Sequence, residues 1–142
     1  MRRLPPSLLR AFRLSIALVW LHEGLWMKIL RQDPHELSIV AAVGAPPPLT
    51  PHLFLLLIGA GETLLAIAVL TGLFARPLAL FQIIILLTMN LIGILFGHGT
   101  IADPIGLLIH NLPLLLCIYA VGADQRAEQT VAPAAIGGGS AP

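Results

Sequence analysis

LFLLLIGAGETLLAIAVLTGLF, residues 53–74, is an almost unbroken apolar stretch with a single acid, Glu62, at its centre. At ~1.5 Å of rise per residue such a stretch crosses the ~30 Å hydrocarbon core of a bilayer. Lipid cannot solvate a carboxylate at that depth, so Glu62 must face other helices or a wet cavity. The stretch therefore predicts a helix bundle with a polar interior. Three more apolar stretches extend the pattern, at about residues 8–30, 77–96 and 104–121. Composition agrees, with 57% hydrophobic and 11% charged residues and a mean hydropathy of +0.91. Soluble domains carry roughly 25% charged residues. The chain is predicted to be an all-α membrane protein, a four-helix transmembrane bundle with a short interfacial helix between helices 1 and 2.

The first stretch is the least apolar, with Arg10 and Arg13 at its start and His22, Glu23 and Lys28 near its end. The arginines can snorkel to one headgroup layer and Lys28 to the other; an amphipathic helix lying outside the membrane is the alternative for this segment. Arg2 and Arg3 precede it without a small-residue cleavage site, so it reads as a retained span. Between the first two spans, Asp33, Pro34 and Glu36 have the spacing of a helix N-cap, first position and third position. Gly44 and the prolines at 46–48 would stop the helix they start, giving an interfacial helix over about residues 34–43, with an irregular loop as the rival. The short LTGLFARP turn predicts a tight hairpin of spans two and three. Residues 1–121 form one transmembrane domain and residues 122–142, rich in Ala, Gly and Pro, a disordered cytoplasmic tail. Arg2, Arg3, Arg10, Arg13, Arg76 and Arg126 fall on one side and only Lys28 and Arg31 on the other. That asymmetry places both termini in the cytoplasm and His98 outside, in a multi-pass protein of the cell's inner membrane.

Glu23, Asn90, His110 and Asn111 lie at a common level, ~10 Å below the outer surface, with Glu62 about one turn deeper. On span three Asn90, Gly93 and Gly97 share a face, and on span two Gly59, Glu62 and Ala66 do so. On span four the stripe Gly106, His110, Pro113 and Cys117 carries the polar group. Gly59, Gly93, Gly97 and Gly106 are the expected helix-packing positions, since small residues let helices approach closely. Glu23, Glu62, Asn90, His110 and Asn111 are thus the ligand-binding or proton-exchange candidates. Each has a plainer reading: Glu62 as a neutral acid bonded to Asn90 or a backbone carbonyl, Glu23 as partner of Lys28 five residues on, and His110 as a satisfied bundle histidine. A net charge of +1 without a basic stripe argues against nucleic acid. The lone Cys117 excludes dithiol chemistry within the chain. His22–Glu23 lacks the second histidine of a zinc-protease pattern, and no metal is expected. His22 and His110 share a depth, but two histidines alone are a thin basis for haem, which is not expected either.

The order of WLHEGLWMKIL (20–30), DPHELSIVAAVG (33–44), GAGETLLAIAVLTG (59–72) and DPIGLLIHNLPLLL (103–116) resembles the DoxX-like family of small bacterial four-helix membrane proteins. Trp20, Gly24 and Lys28 match a Trp-x-x-x-Gly-x-x-x-Lys pattern, Gly59 and Glu62 a Gly-x-x-Glu pattern, and Pro104, Gly106 and Asn111–Leu112 a looser fourth motif. The resemblance covers about residues 8–121. It implies an integral membrane subunit or accessory protein of a quinone-linked redox system, with redox-complex subunits as partners and quinone as the one cofactor it suggests; the apolar spans themselves imply the bilayer as a partner, and the small-residue pair Gly93 and Gly97 a second copy of the chain. Thiol chemistry known among more distant relatives needs cysteines that this chain lacks. The residues alone leave two alternatives open: a small-solute or proton-coupled carrier, and a non-catalytic scaffold that dimerises through Gly93 and Gly97. Whether the chain is an enzyme is not decided by its sequence.

Overall fold

The computed structural model describes residues 4–72, 74–97 and 99–124. His98 and most of the tail, with Arg2, Arg3 and Arg126, lie outside them. The described residues are helical and contain no strand. Helix α1 spans Pro6–Leu21 and runs without a break into a π-helical segment, His22–Leu30. Then come α2 (Pro34–Val43), α3 (Pro51–Thr71), α4 (Ala75–Phe96) and α5 (Pro104–Ala123). Among them α3, α4 and α5 are long and apolar enough to cross a membrane. Their outer faces carry exposed Leu64, Ile67, Leu80, Leu91, Ile105 and Leu116. An apolar exterior on this scale suits lipid as solvent.

Local chemistry sets the helix ends. The Asp33 side chain accepts a hydrogen bond from the His35 amide at 3.0 Å, and Gly44 ends α2 at φ 93°, as the capping spacing predicts. Glu36 does not close the capping box; its carboxylate turns to Lys28 instead. Thr50 caps α3 through the Leu53 amide and Asp103 caps α5 through the Gly106 amide. Proline occupies the first turn of α1, α2, α3 and α5, where its missing N–H costs nothing. Gly72 ends α3 in the left-handed region, with the Arg13 guanidinium where a side chain would otherwise project.

Helix α1 lies between α3 and α5, and α4 packs chiefly on α5. The π-helical segment lies along α3, and α2 rests on α3 and α4. The short turn does join α3 to α4, but the two pack little against each other. The tight hairpin packing expected of spans two and three is therefore corrected: each binds its neighbours more than its partner. The helices pack tightly toward the turn between α3 and α4, where a space of only about 10 Å³ remains. There Leu9, Ile16, Ala17, Leu65, Val69 and Ile118 form a dry core. At the α2 end the helices part around a cavity.

Candidate functional site

The crossing of the π-helical segment over α3 builds the site. A Cβ on Gly24 would stand 2.7 Å from the Gly59 carbonyl oxygen and 2.9 Å from the Thr63 amide nitrogen. A Cβ on Gly59 would stand 2.8 Å from the Gly24 oxygen and 2.9 Å from Cβ of Lys28. Two glycines thus bring two backbones into contact, which is the expected use of Gly59 and an unforeseen one of Gly24. Side chains on a helix lean toward its N-terminus. Lys28, near the C-terminal end of its helix, therefore runs its stem back into the bundle.

Lys28 is the only lysine in the chain. It is 4% exposed, and so is Glu62. Lys28 Nζ lies 3.0 Å from Glu62 Oε2, 3.4 Å from Glu36 Oε2 and 3.9 Å from Glu23 Oε2. The expectation that Lys28 snorkels to the headgroups is corrected, because three carboxylates from three segments draw it inward. The π-helix explains the Glu23 contact. Residues five apart lie about 140° apart around an α-helix, whereas i→i+5 bonding stacks them. The turn is visible in the Arg31 amide, which donates to the Trp26 carbonyl at 2.9 Å. The Lys28–Glu62 approach brings the charges together without the alignment of a hydrogen bond, and Glu62 Oε2 has no other partner.

A cavity of about 290 Å³ opens beside this pair. Its polar lining is Glu23, Lys28, Glu36, Glu62, Asn90 and Asn111, and apolar walls such as Leu86, Ile101 and Leu114 surround them. Trp20 also lines it, held by its indole N–H, which donates to Gln82 Oε1 at 2.8 Å. Asn111 Nδ2 donates to Asn90 Oδ1 at 3.3 Å, joining α5 to α4. Asn90 Nδ2 is buried with no acceptor. Lys28, Asn90 and Glu62 therefore line one apolar-walled space, with the Asn90 amide N–H and Glu62 Oε2 buried in its wall and without hydrogen-bond partners. Among the described residues no group of three or more His, Cys, Asp or Glu side chains is arranged to hold a metal ion.

Glu23, Glu62, Asn90 and Asn111 all line this cavity, and His110 does not. His110 is exposed, and its Nδ1–H donates to the Gly106 carbonyl of its own helix at 2.7 Å. The inward stripe of α5 is Leu107, Asn111, Leu114, Ile118 and Val121. It lies one residue, ~100° of helix, from the stripe the sequence suggested. Three of the four expected packing glycines have other neighbours within the chain. The space at Gly106 is filled by its own cap, Asp103, and Gly97 sits at the end of α4 against the Gly93 carbonyl and Thr100. Gly93 lines the cavity beside Ile101, a loop residue, so neither Gly93 nor Gly97 seats another helix of the same chain. Lys28, Glu36 and Gly24 are the residues that sequence reasoning missed. The signal available was a solitary lysine at four-residue spacing from Gly24 and Trp20.

Fold and site together define a helical membrane protein with a cavity lined by ionisable side chains between its helices. The DoxX-like family model matches residues 17–119, and the chain belongs to that family. No curated protein and no solved structure matches it.

Proposed function

We propose that the protein is a four-span inner-membrane subunit or accessory protein of a quinone-linked redox system, and that the cavity at Lys28 and Glu62 receives the quinone head group. In this reading α1 and its π-helical continuation form the fourth span. Both termini are cytoplasmic and α2 lies at the periplasmic surface. What carries the reading is the donor set: Lys28 and Asn90 come from different helices, line one cavity with apolar walls, and the Asn90 amide N–H has no acceptor. Two N–H donors suit the two carbonyl oxygens of a quinone ring. A cavity of about 290 Å³ suits the ring rather than the isoprenoid tail, which would stay in lipid. When bound, a quinone supplies two-electron, two-proton redox chemistry. The protein's own part is to position the ring against Trp20, hold its oxygens with Lys28 and Asn90, and keep a proton at Glu62 Oε2. Buried donors of this kind discriminate strongly, because a ligand without acceptors would leave them unpaired.

Trp20 supplies the test. The chain has two tryptophans, and Trp26 is half exposed toward lipid. In Trp26→Phe protein held in lipid nanodiscs, a short-chain quinone quenches Trp20 fluorescence saturably. Replacing Lys28 and Glu62 together by Met removes the saturable component. Equal quenching in that variant would mean that the quinone only partitions into lipid.

A further inference from the structure

We infer that His22, Glu23, Glu36 and Lys28 form a proton route from the surface at the α2 end to the buried carboxylate of Glu62. The route takes its purpose from the cavity reading above, on which it rests, but its geometry stands whatever occupies the cavity. Side-chain exposure falls from 60% at His22 to 42% at Glu23, 25% at Glu36, 5% at Lys28 and 4% at Glu62. The gaps are short. His22 Nδ1 and Glu23 Oε1 are 3.1 Å apart, Glu23 and Lys28 3.9 Å, Glu36 and Lys28 3.4 Å, and Lys28 and Glu62 3.0 Å. Two branches, one from the π-helical segment and one from α2, thus converge on a single ammonium.

Lys28 suits the junction because an ammonium carries three donors and three carboxylates lie within 3.9 Å of its nitrogen. In the transfer, one N–H bond of Lys28 breaks as an O–H bond forms at Glu62 Oε2. The neutral amine then takes a proton from Glu23 or Glu36 in its acid form, and that carboxylate is reloaded from water or from the His22 imidazolium. The sum is one proton moved from water to Glu62, with Lys28 an ammonium again and no electron displaced. With all groups ionised, three carboxylates face one ammonium, which leaves an excess of negative charge that a proton relieves. From α4 and α5 the cavity receives only the neutral amides Asn90 and Asn111 as polar side chains.

A separate observation marks the end of the route as a working site. Asn90, which lines the same cavity as Glu62, buries its Nδ2 without an acceptor, so hydrogen-bonding capacity in the cavity wall remains unused. Beyond Glu62 the described residues close into the apolar core of Leu65, Ala66, Val69, Ile16 and Ile118. The route therefore serves the cavity from one side and is not a path through the membrane.

The test needs no quinone. In nanodiscs, a rapid drop in pH raises the infrared carbonyl band of a protonated carboxyl, assigned to Glu62 by its loss in Glu62→Gln. In the Glu23→Gln/Glu36→Gln double variant the band rises about 100-fold more slowly, the lower end of what a positioned proton-transfer group contributes. Each single variant, with one branch intact, slows it less. The half-exposed Glu23→Gln alone keeps the test decisive if the double variant does not fold. A rise as fast as wild type in the double variant, or in Glu23→Gln when only that variant folds, overturns the route and leaves cavity water as the supply. No saturable Trp20 quenching in the Trp26→Phe protein, with the double variant slowed as expected, would fail the quinone reading alone; saturable quenching with the double variant as fast as wild type would fail only this inference.

Discussion

The same helices build both ends of this bundle, and the two ends enclose different things. Toward the turn between α3 and α4, Ile16, Leu65, Val69 and Ile118 interlock and leave no space for a ligand. Toward α2, Gly24 and Gly59 bring two backbones into contact and set a lysine among carboxylates beside a cavity. In lipid the dry end gains from close packing rather than from the expulsion of water, since acyl chains are as apolar as leucine. The polar end holds charges that the membrane would otherwise reject, and it does so by pairing them. One end makes the bundle rigid; the other uses that rigidity to keep a costly arrangement in place.

Breaking the polar end from one side gives the largest effect. Lys28→Ala leaves the carboxylates around it without their cation and lowers stability by about 3–5 kcal/mol, measured by unfolding in mixed micelles. Replacing Lys28 and Glu62 together by Met restores most of that loss, because a buried ion pair can be exchanged for apolar packing at little cost. Breaking the dry end tests the other half of the contrast. Ile118→Ala costs about 2–5 kcal/mol through lost packing, yet quinone quenching of Trp20 in the folded fraction stays unchanged. The glycine crossing gives a smaller effect: Gly24→Ala costs about 1–3 kcal/mol by overpacking. Gly61→Ala, on the same α3 but with open space around its added methyl, is neutral or gains up to about 1 kcal/mol of helix propensity. The smallest effect is expected at His110, whose side chain bonds only its own helix. His110→Ala changes stability by no more than about 0.5 kcal/mol and leaves quenching intact.

Much of this was legible in the sequence. Long apolar runs marked α3, α4 and α5, and the Asp33–Pro34 pair and Gly44 bounded α2 to the residue. The heptad-like spacing of Gly59, Glu62 and Ala66 put the acid on the buried face of α3. The choice between His110 and Asn111 was not legible. They are adjacent, so each heads a plausible stripe, and only the Asn90 partner selects the second. Lys28 was hidden for a different reason. Spacing rules assume α-helical turns, and a π-helical segment breaks them where Glu23 and Lys28 meet. Glycines carry little sequence information about their use: Gly24 and Gly59 serve a helix crossing, while Gly97 and Gly106 accommodate helix ends.

A distance measurement in a bilayer tests the buried pair most directly. Because Lys28 is the chain's single lysine, nitrogen-labelled lysine reports on that one ammonium. With carbon-labelled glutamate in the Glu23→Gln/Glu36→Gln background, solid-state dipolar recoupling should show strong dephasing from the Glu62 carboxyl, consistent with an N···O approach of 3.0 Å. Absence of dephasing, with the lysine signal responding to lipid headgroups instead, would place Lys28 at the membrane surface and contradict the account of the cavity.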